Sequence, residues 1–192
     1  MSKNGKLYVF TGPSGTGKGT ILSQVLKQDK RLFLSVSATT RAPREGETHG
    51  KHYYFLDKQT FEDKINKGEF LEHAQYVGNY YGTLEQPVNE QLKSGNDVVL
   101  EIEVQGAMQI HEKRPDAVMI FVAPPSIEEL ERRLIGRGTE NAEKIAARMK
   151  TAEVELKQSD KFDYIIVNDD LDCAIADLLA ILRAERCRNS KL

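Results

Sequence analysis

The stretch "GPSGTGKGT", residues 12–20, places glycines and a lysine at a spacing suited to binding phosphate. Gly12, Gly15 and Gly17 allow the backbone to turn successive N–H groups inward as an anion-binding nest. Lys18 adds a compact charge for β and γ phosphates, and a helix that follows the loop would point its positive end at them. We predict a nucleotide phosphate loop, rather than a glycine-rich turn without a ligand, made of Gly12, Pro13, Ser14, Gly15, Thr16, Gly17, Lys18, Gly19 and Thr20.

Gly19 departs from the usual pattern of such loops, in which Ser or Thr follows the lysine and ligates magnesium through its hydroxyl. Switch and motor NTPases depend on that hydroxyl. An enzyme that moves a phosphoryl group to a second bound nucleotide can instead hold Mg²⁺ mainly through phosphates and waters. The stretch "GKGT" therefore favours a small-molecule kinase, in which Thr20 can still reach a phosphate directly or through water.

The segment "SVSATTRAPREGETHGKHYYF" predicts a second anion site. Arg41 and Arg44 flank a proline, and the planar guanidinium group donates two parallel hydrogen bonds to a phosphate. Ser37 and Tyr53 lie in the same segment, and "GNYYGT" supplies Tyr81 and Thr83. Two solvated surface arginines are the alternative, and these neighbouring hydroxyl groups argue against it.

Glu72, in "EFLEHAQ", is the candidate that could read a base. A carboxylate only accepts hydrogen bonds, so it suits guanine, which presents N1–H beside an exocyclic amine. Adenine has an unprotonated N1 at that edge and would be repelled. A glutamate on a strand is more often a solvated side chain, so this assignment depends on the rest of the chain.

Four β-prone runs alternate with helix-like segments: "KLYVF", "DVVLEIEV", "AVMIFVA" and "DYIIVN". This alternation predicts an α/β fold with a central parallel sheet flanked by helices. Ser126 with Glu129 resembles a capping box, and Thr60 with Asp63 is a weaker one. The apolar stripe of "CAIADLLAILRAERCR" is expected to face the core rather than an interface.

Two regions interrupt the alternation. Residues 35–83 predict a small β-rich insertion around one helix, "TFEDKINKG". Residues 125–150 contain an arginine-rich pair of helices joined by Gly-Arg-Gly, an arrangement that can hinge. The sheet core is then formed by residues 1–34, 84–124 and 151–192 of a single domain, which a chain of 192 residues can fill.

Composition excludes several classes of partner. The formal net charge is −2, so no global basic field recruits nucleic acid or an anionic membrane surface. The N-terminal residues lack the apolar run of a signal peptide, and the chain has no stretch long enough to span a membrane. We expect a cytoplasmic protein in which Cys173 and Cys187 are packing residues rather than a disulfide or metal pair.

Taken together, the motifs resemble those of the guanylate kinase family. The matching pieces are "GPSGTGKGT", "SVSATTRAPREGETHGKHYYF", "GEFLEHAQYVGNYYGT", "LEIEVQGA", "GRGTE" and "VND", in family order from Gly12 to Asp169. The resemblance implies a P-loop nucleoside monophosphate kinase that transfers the γ-phosphoryl group of ATP to GMP, and also to dGMP, in purine nucleotide metabolism. It also implies Mg²⁺ as the metal that accompanies ATP. The sequence leaves open whether the protein is a monomer or a homodimer.

The resemblance also implies roles for individual residues. The GMP ligands would be Ser37, Arg41, Arg44, Tyr53, Glu72, Tyr81, Thr83 and Glu103, with Glu72 and Thr83 at the guanine. The catalytic cations would be Lys18, Arg44 and the lid arginines Arg133, Arg137 and Arg148. Asn168 would lie near the adenine, and Thr20 and Glu101 are the possible magnesium ligands, although phosphates and waters would supply most of that shell.

This chain departs from many relatives at two places. Relatives often have Ser where this chain has Gly19, and Asp where it has Glu101 and Glu103. Two other functions are considered: a peptide-binding guanylate-kinase-like scaffold module, and a kinase for AMP or a sugar phosphate. Lys18, the loop glycines and the lid arginines argue against the first, and "TTRAPREGE" with "GNYYGT" argues against the second. We further expect residues 35–83 to close over GMP and residues 125–150 over ATP.

Overall fold

The structure is a computed structural model that describes residues 4–76, 78–136 and 141–188. Strands and helices alternate through most of this range. Their bounds are β1 (Leu7–Thr11), α1 (Lys18–Gln28), β2 (Leu32–Leu34), β3 (Ala38–Thr39), β4 (Tyr54–Phe55), α2 (Lys58–Asn66), β5 (Phe70–Tyr76), β6 (Asn79–Leu84), α3 (Glu85–Lys93), β7 (Asp97–Glu101), α4 (Val104–Lys113), β8 (Val118–Ala123), α5 (Ile127–Gly136), α6 (Ala142–Leu156), β9 (Tyr164–Val167) and α7 (Leu171–Cys187), with a short 3₁₀ turn at Ser159–Lys161.

The strands form two sheets. The larger has the order β2-β7-β1-β8-β9. Its pairs β2 with β7 and β8 with β9 are parallel, with Leu32 opposite Asp97 and Ile120 opposite Tyr164. The smaller sheet has the order β4-β3-β6-β5 and contains the antiparallel hairpin of β5 and β6. The predicted α/β fold with a central parallel sheet is confirmed.

Contacts between Cα atoms divide the chain into two compact units. One consists of Met1–Val9 and Arg31–Val118, and the other of Phe10–Lys30 and Met119–Leu192. The first unit contains the smaller sheet with α2, α3 and α4. The second contains α1 and the helices α5, α6 and α7.

The apolar core explains why these segments form these elements. All five residues of β1 are buried, as expected for a strand covered on both faces. In the smaller sheet, Phe61 of α2 stacks on Phe70 and Tyr80 with ring centroids 4.3 and 5.3 Å apart. The α7 stripe, which includes Leu178 and Leu182, is buried, so its predicted place in the core is confirmed.

The sequence predictions of several element boundaries were wrong. Strand β2, "LFL", was not predicted because its three residues are too few to show a period. Strand β7 ends at Glu101, whereas the prediction carried the strand to Val104, the first residue of α4. Helix α2 is capped by Asp57, whose carboxylate accepts the Thr60 N–H at 2.8 Å, so Thr60 is not the cap.

The predicted cap at the start of α5 is confirmed for Ser126, whose Oγ accepts the Glu129 N–H at 3.1 Å. The Glu129 carboxylate, which a capping box would turn back to the start of the helix, accepts from Arg132 and Arg133 instead. The two cysteines are free thiols, but both are exposed, so the predicted packing role is wrong. They lie on α7 outside its buried stripe. None of the helices within the described ranges combines the length and the apolar character needed to cross a bilayer.

Candidate functional site

The predicted phosphate loop has the backbone of an anion nest. Gly12, Gly15 and Gly17 all have positive φ, of 144°, 97° and 87°. A Cβ atom at Gly12 would lie 2.2 Å from the Val122 carbonyl oxygen, so no other residue fits there. Gly17 is the N-cap residue of α1, and the first turn of that helix therefore presents its N–H groups at the loop.

Lys18, the first residue of α1, folds back over this loop. Its ammonium group donates hydrogen bonds to the carbonyl oxygens of Gly12 and Pro13, at 2.5 and 2.9 Å. Gly19 and Thr20 follow on an exposed face of α1. The charge of Lys18 thus lies against the loop that we predict it to serve.

Asn168 is bound to the same loop. Its side chain is buried, and its Nδ2 donates to the Thr16 carbonyl oxygen at 2.7 Å, while its backbone N–H donates to the Ala123 carbonyl. A Cβ atom at Gly17 would lie 2.5 Å from that Nδ2. The side chain therefore holds the loop backbone in place, a role that the sequence did not indicate. Its predicted place near the adenine stays a prediction.

Helices α5 and α6 carry two of the predicted lid arginines, Arg133 and Arg148. Arg133 donates through Nε to Glu129 at 2.7 Å, and Arg132 donates to the other oxygen of that carboxylate at the same distance. These two bonds lower the pKa of Glu129 to about 2. Glu129 thereby fixes the orientation of Arg133, and sequence reasoning did not predict this contact. The i, i+4 spacing of Glu129 and Arg133 is the signal that could have revealed it.

Arg148, on α6, reaches the phosphate loop directly. Its Nη1 donates to Ser14 Oγ at 3.2 Å. One predicted lid arginine and one predicted loop residue are thus in contact. The third lid arginine, Arg137, lies outside the described residues.

The predicted GMP ligands meet in the first unit. A cavity of about 310 Å³ is bounded by six of the residues that the sequence singled out: Ser37, Tyr53, Glu72, Tyr81, Glu101 and Glu103. The volume is at the low end of the range for small-ligand sites. Glu101 ends β7 and Glu103 is the N-cap residue of α4, and both are exposed.

Arg41 borders this group through its aromatic and acidic neighbours. Its guanidinium carbon lies 5.5 Å from the centre of the Tyr53 ring, whose centroid is 6.3 Å from that of Tyr81. Its Nη2 donates to both carboxylate oxygens of Glu47 at 2.9 Å. The Arg44 N–H donates to the same carboxylate at 2.8 Å, although the Arg44 side chain is exposed. Glu47 therefore organises the backbone and one side chain of the arginine segment.

Glu47 was missed because an acidic residue beside two arginines resembles an ordinary surface charge. The hydrogen bond from Arg41 is the largest influence that lowers the pKa of Glu47. The same bond raises the pKa of Arg41. Both groups consequently stay charged at neutral pH.

Glu72 and Thr83 are neighbours across the β5–β6 hairpin. They are paired in register, and Thr83 Oγ1 donates to Glu72 Oε1 at 2.7 Å. A bulge between Phe70 and Glu72 breaks the alternation of β5, so that Phe70, Leu71 and Glu72 are all buried. Glu72 is thus buried and at the same time lines the cavity.

Burial raises the pKa of Glu72, since a carboxylate loses hydration there. The hydrogen bond from Thr83 and the positive charge of Lys113 act in the opposite direction. A buried acceptor with one oxygen hydrogen-bonded suits a ligand that brings its own N–H donors. Adenine would bring an acceptor instead.

The two predicted metal ligands have side chains of the kind that a hard cation accepts. The described ranges contain no cluster of three or more His, Cys, Asp or Glu residues that could enclose a metal. Thr20 and Glu101 offer a hydroxyl and a carboxylate, both exposed, and these are the oxygen donors that Mg²⁺ accepts.

The sequence model of the family described as "Guanylate kinase" matches residues 4–185. The chain belongs to the guanylate kinase family. The guanylate kinase of one Thermus thermophilus strain is 52% identical over 188 residues, which cover 98% of this chain and 85% of that protein. The guanylate kinase of Halalkalibacterium halodurans is 48% identical, with 99% and 93% covered.

A solved structure agrees with this family membership. The crystal structure of guanylate kinase from Anaplasma phagocytophilum aligns with a TM-score of 0.77 at 34% identity, over 98% of this chain and 89% of that one. This guanylate kinase family member is therefore a nucleoside monophosphate kinase, a phosphotransferase of the P-loop type. Membership supports phosphorylation of GMP by ATP as its activity.

Proposed function

We propose that this enzyme phosphorylates GMP with ATP, giving GDP and ADP, and that guanine is selected by Glu72 with Thr83. The observation that carries the proposal is the buried Glu72 carboxylate at a cavity lined by Ser37, Tyr53 and Tyr81. A buried acceptor at that position favours a base with adjacent N–H donors. Cytosine and uracil are smaller than a purine and do not present the same pair of adjacent N–H donors.

The phosphate of GMP would be bound by other residues that line or border this cavity. Ser37, Tyr53 and Tyr81 would supply hydroxyl donors, and Arg41 would supply a guanidinium group that is already oriented by Glu47. Arg44 is exposed and can reach a phosphate as it enters. We assign Glu103 to the base or ribose side.

The ATP phosphates would be held by the loop Gly12–Thr20 and by Lys18. Phosphoryl transfer places negative charge on the equatorial oxygens of the moving group, and fixed cations lower the barrier. Lys18, Arg133 and Arg148 are the described cations proposed for that task, and Arg137 is proposed with them. The GMP phosphate is already an anionic nucleophile, so none of the residues needs to act as a general base.

Magnesium, when bound with ATP, would neutralise phosphate charge and hold the donor in line with the acceptor. Thr20 and Glu101 are the proposed protein contacts to that ion or to its waters. Gly19 has no hydroxyl to offer the ion. Thr20 and Glu101 would therefore add oxygen donors to a shell that phosphates and waters mainly supply.

The test is product analysis by ion-exchange chromatography. The enzyme with ATP, GMP and Mg²⁺ should give ADP and GDP in equal amounts, and chelation of the metal should stop the reaction. ADP without GDP would indicate hydrolysis and would contradict the proposal. A scaffold module would give neither product.

Lys18→Met tests the role of the loop lysine in phosphoryl transfer. It should lower kcat by about a hundredfold or more, because a preorganised charge at the β and γ phosphates is removed. The fold should stay intact, as checked by circular dichroism, since the side chain is not part of the apolar core. Turnover close to that of the wild type would remove Lys18 from the proposed mechanism.

Four finer predictions accompany the proposed function. The chain would act as one domain with residues 35–83 as the GMP-binding insertion and 125–150 as the lid. The enzyme would also accept dGMP, would be a monomer or homodimer, and would work in the cytoplasm. Binding of nucleic acid or of a membrane is not expected from a net charge of −2.

A further inference from the structure

Gly106, in the first turn of α4, leaves space for the carboxylate of Glu72. A Cβ atom built at Gly106 would lie 2.7 Å from Glu72 Oε2, 3.2 Å from Cδ and 3.4 Å from Cγ. All three of these nearest atoms belong to the one side chain. Gly106 is helical and is not among the described glycines with positive φ, so its backbone conformation does not require glycine. Glycine is also a poor residue for a helix. The space that it leaves is therefore the property that matters.

Helix α4 is also tied to the strand that carries Glu72. The Gln109 side-chain amide donates to the His73 carbonyl oxygen at 2.9 Å and accepts the His73 N–H at 3.2 Å. Lys113 Nζ donates to the Phe70 carbonyl oxygen at 3.3 Å. These contacts flank Glu72 along β5, on one side at His73 and on the other at Phe70.

The three α4 residues lie on one face of the helix. Gly106, Gln109 and Lys113 are separated by three and four positions, the spacing of neighbours on a helical surface. The position of the Glu72 carboxylate is thus determined both by β6 and by α4. Oε1 accepts the Thr83 hydroxyl, and Oε2 occupies the space over Gly106.

We infer that Gly106 and Gln109 are positioning residues that determine specificity. They fix the position of the Glu72 carboxylate so that it can accept hydrogen bonds from guanine. This inference rests on the proposed function, in which Glu72 accepts hydrogen bonds from the base. Neither residue needs to touch the nucleotide for this role. Gly106 acts through the space that it leaves, and Gln109 acts through the backbone of β5.

A methyl group at Gly106 would displace the carboxylate rather than the fold. The atom that it meets at 2.7 Å is the far end of a flexible side chain, which can move at low cost. Alanine is at the same time the better helix former. Gly106→Ala should therefore fold with a melting temperature equal to or above that of the wild type, while the acceptor is moved away from the guanine edge.

The main experiment compares steady-state kinetics of wild type and Gly106→Ala with GMP and with inosine monophosphate, whose base lacks the exocyclic amine. The KM for GMP should rise by about tenfold or more, because hydrogen bonds to a charged acceptor are misaligned. The KM for ATP should not change. The preference for GMP over inosine monophosphate should fall towards that of Glu72→Gln.

Two further variants identify Glu72 as the route of the effect. Adding Gly106→Ala to Glu72→Gln should cause little additional loss, because both changes disable the same acceptor. Glu72→Asp shortens the side chain by one methylene, so the pair Glu72→Asp with Gly106→Ala should bind GMP better than Gly106→Ala alone. Gln105→Ala, in the same turn but exposed, is the control and should leave every parameter unchanged.

Gln109→Ala tests the second residue. It removes both hydrogen bonds to His73 and should raise the KM for GMP without changing the KM for ATP. The inference is overturned if Gly106→Ala keeps the wild-type KM and base preference, if its loss adds fully to that of Glu72→Gln, or if it fails to fold. Failure of the wild type to phosphorylate GMP would instead contradict the proposed function.

Discussion

At the scale of single residues, the site depends on where charges are buried and what they contact. Glu72 is a carboxylate that burial disfavours and that Thr83 and Lys113 stabilise. Lys18 and Arg41 are cations held against carbonyl or carboxylate oxygens. Each of these groups has an orientation fixed by named contacts, so its substitution has a definite expected effect.

Glu72 should give GMP binding a characteristic dependence on pH. Only the ionised carboxylate accepts from guanine, and burial raises its pKa in the unliganded enzyme. As the pH falls through that raised pKa, protonation should increase the KM for GMP, at a higher pH than for an exposed glutamate. The measurement is the KM for GMP between neutral and mildly acidic pH.

Glu72→Gln is the control for this pH dependence. It should weaken GMP binding at neutral pH by about 1 to 3 kcal/mol. It should also abolish the acid-side increase that is specific to GMP, while the ATP profile stays as in the wild type. An identical acid-side increase in the variant would assign the titration to another group.

At the level of secondary structure, three short segments determine where the charged groups of the site lie. The β5 bulge turns Glu72 inward, and the segment between β3 and β4 carries Arg41 and Arg44. The turn before α1 forms the nest proposed for the ATP phosphates. Glu47 is the residue that holds the second of these segments in one shape.

Glu47→Gln should disrupt the arginine segment without disturbing either sheet. The loss of its charge weakens the bonds from Arg41 and from the Arg44 N–H, so the KM for GMP should rise several-fold, about as expected for one charged hydrogen bond. The ATP KM should remain constant. Glu45→Gln, an exposed neighbour in the same segment, is the matched control. Equal effects of the two substitutions would show that only surface charge matters.

The elements that the sequence predicted are those with a clear period or a specific motif. Strand β1, the phosphate loop, strand β8 and helix α7 combine apolar spacing with glycine or capping signals. Strand β2 was missed because three residues show no period. The contacts of Gly106 with Glu72, and of Asn168 with Thr16, join residues far apart in the chain and depend on tertiary packing. No local pattern encodes such contacts, whereas Glu47 and Glu129 were missed because a surface carboxylate beside arginines is common.

At the scale of the whole molecule, a kinase must keep water away from the group that it transfers. Closure triggered by both substrates is the usual solution. The two segments proposed to move are residues 35–83 and 125–150. They contain all five arginines assigned to the two nucleotides, so the negative charge of the ligands would draw them in.

Small-angle scattering with and without a bisubstrate analogue tests this closure. The radius of gyration should decrease when the analogue binds, and GMP alone should produce part of the change. Unchanged dimensions with saturating analogue would contradict the closure of either segment.

The most direct test of the whole account is a coupled assay of ATP-dependent phosphorylation across GMP, AMP, UMP and CMP. We expect efficient turnover of GMP, with kcat/KM for AMP lower by about four orders of magnitude, because adenine leaves unpaired a site that accepts hydrogen bonds from guanine. Comparable rates with GMP and AMP, or a preference for a pyrimidine nucleotide, would contradict it.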